Sequence, residues 1–408
     1  MKKLSLFLFL IIVGTSQNLI AQNSKSYKME PFKINIADNV LADLKTRLKQ
    51  TRWTDEPKNA NWNYGTNPTY LHELVDYWQN NYDWRKQEAL LNKFPQYKTS
   101  IDGIDIHFIY VKGKGKNPKP LILTHGWPDN FFRFYKIIPM LTDPANFGGN
   151  ADESFDVIIP SIPGFGFSEK VALNTDQTAV IWSKLMTDVL GYKTFVAAGG
   201  DLGTPITKSL ANQFPHLVTA IHLTDVGYPT GKENWSTMSK PVQDFGKFIQ
   251  NWWYSEGAYN MIQSTKPQTL GYGLNDSPVG LASWIVEKFN AWSDNKGNIE
   301  NSFTKDELLT NIMIYWLTQT INSSIRTYAE DSKTAWSGGL RSQQRVETPT
   351  GVSIFPAEAP IPKEWAEHMA NVTSFHKMEK GGHFAAMEQP ELWANELRTF
   401  FYDDTNLK

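Results

Sequence analysis

The chain has 408 residues, with 40 Lys plus Arg against 42 Asp plus Glu, eight His and no Cys. That length holds one large domain with insertions or two domains, and the balanced charge, with no basic run, excludes nucleic acid as a main partner. The lack of Cys excludes disulfides, thiolate zinc sites and a lipoprotein anchor, while fifteen Trp fit an apolar cleft as well as ordinary core packing.

Residues 1–21 read as a secretory signal, with Lys2 and Lys3 as a positive start, Leu4 to Val13 as an apolar core and a cut after Ala21. The apolar core is too short for a membrane span, and no later segment qualifies, so the expectation is an exported protein, periplasmic or secreted, with no stable span. Residues 22–95 form a helical, aromatic-rich arm. Its first helix is expected over 36–49, where Val40, Leu41, Leu44 and Leu48 fall at helical spacing and Asp38 stands as the N-cap. Helices over 69–78 and 84–93 follow. From Ile101 the alternation of Ile104, Ile106, Phe108 and Tyr110 predicts strands.

Over 96–408 strands and helices alternate: strands at 120–124, 155–160, 193–198, 218–223, 352–355 and 372–378, helices at 131–141, 178–190, 204–214 and 390–402. This pattern is α/β, a mostly parallel sheet with helices on both faces. The alternation stops between about 228 and 342, in a helical block rich in Trp and Tyr. An insertion before the last two strands is expected to sit above the strand C-termini as a lid.

Gly199-Gly200-Asp201-Leu202-Gly203 stands between a strand and a helix, a small-x-nucleophile-x-small elbow with aspartate where serine is usual. A loop aspartate between glycines is more often turn chemistry, so the rest of the chain has to decide. A serine attacking saturated carbon would leave an ether that water does not readily cleave. A carboxylate leaves an ester, which water does cleave. The elbow therefore points to hydrolysis of epoxides or alkyl halides. Such chemistry needs a histidine to activate water, an acid to orient it and N–H donors for the oxyanion, in the chain order nucleophile, acid, histidine. His383, on the glycine-rich loop after the last strand, fits; His72, His107, His216, His222, His368 and His376 read as surface or core residues. Glu358, after the penultimate strand, is the preferred acid and Asp225, after the strand ending at Leu223, the alternative. The turn His125-Gly126-Trp127-Pro128 offers the Trp127 N–H to pair with that of Leu202 as an oxyanion hole, with His125 organising the turn.

Taken together, His-Gly-Trp-Pro at 125–128, Gly-Gly-Asp at 199–201, Phe-Pro-Ala-Glu at 355–358, Gly-Gly-His-Phe-Ala-Ala at 381–386 and the segment 274–282 make the chain resemble the microsomal-type epoxide hydrolases of the α/β-hydrolase superfamily. The likeness runs from Met29 to Tyr402, with the helical arm similar to that family's N-terminal domain. Leu202 stands where the family usually has Trp, which a backbone donor tolerates, and Asp129 where glycine is commoner. The resemblance implies an epoxide and water as substrates, a vicinal diol as product, an Asp201 hydroxyalkyl ester as intermediate, and no metal or cofactor. It also implies two lid tyrosines, Tyr259 and Tyr328, as donors to the leaving oxygen. Haloalkane dehalogenation, which uses the same ester, is the nearest rival reading; a secreted ligand-binding relative without turnover is the other.

Overall fold

A nine-stranded sheet carries the chain: β1 (Glu30–Phe32), β2 (Gln96–Ile101), β3 (Ile104–Val111), β4 (Lys119–Thr124), β5 (Phe155–Pro160), β6 (Phe195–Gly199), β7 (Val218–Leu223), β8 (Val346–Ile354) and β9 (Ala370–Lys377). The computed structural model describes residues 27–231, 233–337 and 339–407; the expected signal at 1–21 lies outside them. The strand order is β1-β2-β3-β5-β4-β6-β7-β8-β9. The pairs from β5 through β9 are parallel and those from β1 to β5 antiparallel. Every residue of β5 and β6 is buried, as continuous apolar runs at the centre of a covered parallel sheet must be.

Helix Gly203–Gln213 packs on β4, β6, β7 and β8, while Pro390–Tyr402 packs on Ile137–Thr142 and β7. Between β7 and β8 run the helices Lys240–Ser255, Ala258–Thr265, Pro267–Asp276, Pro278–Ala291, Lys305–Thr318 and Ile321–Ser337. These helices lie in the interval of about 228–342 where the sequence pattern predicts an insertion. Among the described residues no helix is long and apolar enough to cross a membrane.

The arm, with helices Asp38–Lys49, Pro68–Asn80 and Trp84–Leu91, holds the lid more than the sheet. Arg47 bonds the Asp276 carboxylate at 2.9 Å, the Tyr77 hydroxyl donates to Asp306 at 2.9 Å, and Thr66 donates to the Ser283 carbonyl at 2.7 Å. Two expectations need correction. Asp38 is not the N-cap: Ala37 occupies that position in extended backbone, and Asp38 lies in the first turn with its carboxylate 2.5 Å from Arg85. Its charge still faces the positive end of the helix. The single helix expected over 131–141 is a 3-10 turn, Phe131–Phe134, followed by the helix Ile137–Thr142. Asn130 opens the first piece by accepting the Phe132 N–H, and its carboxamide donates to the Asn311 side chain; that tertiary tie sets the local geometry.

Candidate active site

The elbow forms because three backbones meet where β6 ends. Asp201 has φ of 57°, a left-handed conformation that a non-glycine residue adopts only when its surroundings enforce it. A Cβ on Gly203 would lie 2.1 Å from the Thr124 carbonyl oxygen, and one on Gly126 would lie 2.5 Å from Asp201 Cβ. Glycine is therefore required on both sides of the approach. Asp225 fastens the turn: its Oδ2 accepts the Asp201 N–H at 3.0 Å and the Thr204 hydroxyl at 2.6 Å, and its Oδ1 accepts the Gly227 N–H at 3.1 Å. The alternative acid of the sequence analysis thus bonds to the elbow, whereas Glu358 bonds to His383.

The two oxygens of Asp201 have different surroundings. Oδ1 accepts the Trp127 N–H at 2.8 Å and the Leu202 N–H at 2.6 Å. Oδ2 lies 3.6 Å from His383 Nε2. On its other side the imidazole gives its Nδ1–H to Glu358 Oε1, and the loop is held by the His383 N–H donating to the Trp292 carbonyl at 2.9 Å. Burial pushes the Asp201 carboxyl up to about 6, against the pull of His383 and the two N–H donors. For His383, burial disfavours the imidazolium, but the charge and hydrogen bond of Glu358, with the Asp201 charge, outweigh it and raise the group to about 9. Glu358 is itself held below its ordinary range: burial opposes its charge, and the His383 cation and hydrogen bond more than offset that.

From the lid, Tyr259 and Tyr328 turn inward, each only 7% exposed. The Tyr259 ring stacks on Trp127 with centroids 5.4 Å apart, and Tyr328 meets the same indole edge-on at 6.2 Å. Burial, then the negative charge of Asp201, push both phenols well above their ordinary value. A cavity of about 270 Å³ opens over Asp201 and His383, walled by Trp252, Trp253, Tyr259 and Trp292. The turn residue His125 is buried, its Nε2 accepting the Ile162 N–H at 3.1 Å, and burial lowers it to about 4. It ties the turn to the loop after β5.

A carboxylate with one oxygen pinned by two N–H groups and the other free beside an imidazole, under two buried phenols, is equipped to form and then cleave an ester. Residues 29–134 match the family described as Epoxide hydrolase N terminus, and residues 119–279 the alpha/beta hydrolase fold. Epoxide hydrolase 1 of Sus scrofa is 40% identical over 401 residues, covering 91% of this chain and 88% of that protein. The chain belongs to the microsomal-type epoxide hydrolases. Among solved structures, the juvenile hormone epoxide hydrolase of the silkworm Bombyx mori is 32% identical, with a TM-score of 0.78 over 91% of this chain and 93% of that one. The Aspergillus niger epoxide hydrolase is 29% identical, with a TM-score of 0.80 over 93% and 97%.

In this epoxide hydrolase Glu358, His383 and Asp201 follow one another in contact, with the Trp127 and Leu202 N–H groups on Asp201; Tyr259 lines the cavity over them, and Tyr328 packs against Trp127 and Tyr259. Sequence reasoning missed Arg133, whose guanidinium bonds the Asp129 carboxylate at 2.5 Å and the His383 carbonyl at 2.5 Å. The signal was present: an arginine inside Phe131-Phe132-Arg133-Phe134, four residues from Asp129, is a charge in an otherwise apolar run.

Proposed function

We propose that this epoxide hydrolase works in two covalent steps on small lipophilic epoxides. Asp201 Oδ2 attacks the less hindered ring carbon, that carbon's bond to the ring oxygen breaks, and the oxygen takes a proton from Tyr259 or Tyr328. A hydroxyalkyl ester results, with Oδ1 as its carbonyl oxygen. Water then adds to the ester carbonyl carbon as His383 Nε2 takes its proton, the ring being oriented by Glu358. The Trp127 and Leu202 N–H groups hold the charge that develops on Oδ1; loss of one such donor costs about 10²–10³ in rate. Collapse breaks the bond from the carboxyl carbon to Oδ2; the departing oxygen takes the proton left on the newly added hydroxyl and leaves as diol, which restores the carboxylate. The proton on His383 returns through solvent to the tyrosinate, so epoxide and water are consumed and nothing else changes.

The observation that carries this reading is the asymmetry of the Asp201 carboxylate, with Oδ1 bound by both N–H donors and Oδ2 turned to His383. With enzyme in excess over substrate in heavy-oxygen water, the first diol is expected to carry no label, and the label to appear in Asp201. Label in that first diol would show direct attack by water and end this reading. Against dehalogenation, Leu202 brings no side-chain donor for a halide beside the nucleophile, whereas two phenols suit an oxygen leaving group.

The titrations give the pH dependence a definite sign. Ring opening requires ionised Asp201, so its rate rises through a limb near 6, where burial has placed that carboxyl. Ester hydrolysis requires neutral His383, a group raised to about 9 in the free enzyme, so this step too gains rate as the pH rises through its limb. Esterification removes the Asp201 charge that helped raise it, so the hydrolysis limb is expected below that value. Rapid-quench measurement of each step against pH checks both; a hydrolysis limb at or above the free-enzyme value contradicts the linkage.

We also propose that the chain is exported, periplasmic or secreted. Lys2, Lys3 and the apolar run Leu4 to Val13 support this, as does a sequence without Cys that needs no reducing compartment.

A further inference from the structure

A buried ion pair lies between the turn that holds Asp201 and the loop that carries His383, and the mechanism above leaves it without a task. The side chains of Asp129 and Arg133 are 0% and 3% exposed and meet at 2.5 Å. Their other bonds run to the backbone on either side of the reaction centre. Asp129 Oδ1 accepts the Gly126 N–H at 2.9 Å, and the next N–H along, that of Trp127, is the one on Asp201 Oδ1. Arg133 Nη2 donates to the carbonyl of His383 itself at 2.5 Å. From the lid, the Tyr315 hydroxyl donates to the Asp129 carbonyl at 2.5 Å. A buried ion pair adds little net stability over apolar residues of the same volume, but its paired, directional bonds fix geometry.

We propose that Asp129 and Arg133 are positioning residues that lock the oxyanion turn to the histidine loop, and so act on ester hydrolysis rather than on ring opening. The inference rests on the covalent reading given above. Ring opening needs Asp201 and the phenols. Hydrolysis needs the N–H pair and the imidazole in register around one tetrahedral carbon, and this pair bridges the Gly126-Trp127 turn to the backbone of the histidine loop. The charged groups facing His383 are Glu358, Asp201 and Glu388, which favour its imidazolium, and Arg133, which disfavours it.

The test is rapid-quench separation of ester formation from ester hydrolysis in wild type, Arg133→Met, Arg133→Lys and Asp129→Asn. Arg133→Met is expected to slow hydrolysis about tenfold or more, since small misplacements of reacting groups cost rates of that order, and to leave ring opening within about threefold. Its hydrolysis limb moves to higher pH, because the cation opposing the imidazolium is gone. Arg133→Lys keeps the cation but cannot span both acceptors; it loses a smaller part of hydrolysis and keeps the limb in place. A uniform fall of both steps, or hydrolysis at the wild-type rate, overturns the proposal. If Arg133→Met does not fold, Arg133→Lys and Asp129→Asn decide on the same criterion of selective loss. Wild type that never forms an ester sinks the covalent reading and this inference with it. Wild type that forms one, beside an Arg133→Met that hydrolyses it normally, sinks the inference alone.

Discussion

His383→Gln is expected to abolish turnover and leave Asp201 esterified. Glutamine keeps a polar side chain over the cavity but cannot accept the proton of the attacking water, and a positioned general base contributes about 10²–10⁴ to such a step. Ring opening asks nothing of the imidazole as a base, because Asp201 is ionised once the pH exceeds about 6. The substitution also removes the His383 cation that favours that ionised form, so the ring-opening limb moves upward. Above that limb the first step proceeds and the second stalls. The adduct has a distinctive mass. An epoxide adds every one of its atoms to the carboxyl group, so the elbow peptide gains the full mass of the substrate, whereas a haloalkane would add its mass less that of the hydrogen halide. Peptide mass spectrometry after one equivalent of substrate reads this directly. Lost turnover without any adduct would mean that ring opening itself depends on His383, and the order of steps would be wrong.

Much of this site was legible before the structure because its parts are sequence-local. An elbow requires glycines at fixed offsets from the nucleophile, and a strand end followed by a turn places Glu358 and His383 at one edge of a parallel sheet. The strands Phe155–Pro160 and Val218–Leu223 and the helix Pro390–Tyr402 have the bounds that their patterns predict. Elsewhere pattern was a poor guide for physical reasons. β1 has three residues, one of them Pro31, at the sheet edge, too short for alternation to register. β8 begins at Val346, six residues before the run read as a strand; this first part contains Pro349, a residue uncommon inside strands, and the ladder to β9 shifts register there and absorbs it. None of the residues 131–141 is exposed and seven of them are buried, so the apolar ones carry no clear period to read. Tyr259 and Tyr328 are two of sixteen tyrosines, and only the family resemblance singled them out. Arg133 went unread because its bond to the His383 carbonyl joins segments far apart in sequence, and Asp129 stood out only as a departure from the family's commoner glycine.

Removing both lid phenols, Tyr259→Phe with Tyr328→Phe, is expected to prevent esterification of Asp201 altogether. The ring oxygen leaves as an alkoxide, a far stronger base than a phenolate, so even with ring strain the step needs a donor as the bond breaks. Both hydroxyls are poised for this. Burial and the facing Asp201 charge keep them protonated, and attack by Asp201 extinguishes that charge. The phenols thus become stronger acids at the moment the proton is needed. The Lys288 ammonium lies 5.1 Å from the Tyr259 ring centroid, where it favours the phenolate that donation leaves behind. One well-placed donor is worth about 10²–10³ in rate, so two acting together are worth roughly 10⁴ or more. Each single variant should retain slow turnover, with its loss in ring opening and its ester hydrolysis near normal. The double variant should yield neither diol nor adduct, while the same protein carrying His383→Gln in place of the tyrosine changes accumulates adduct. If the double variant still esterifies Asp201 at the wild-type rate, the oxygen is protonated from elsewhere in the cavity, and the part assigned to the lid in this chemistry falls.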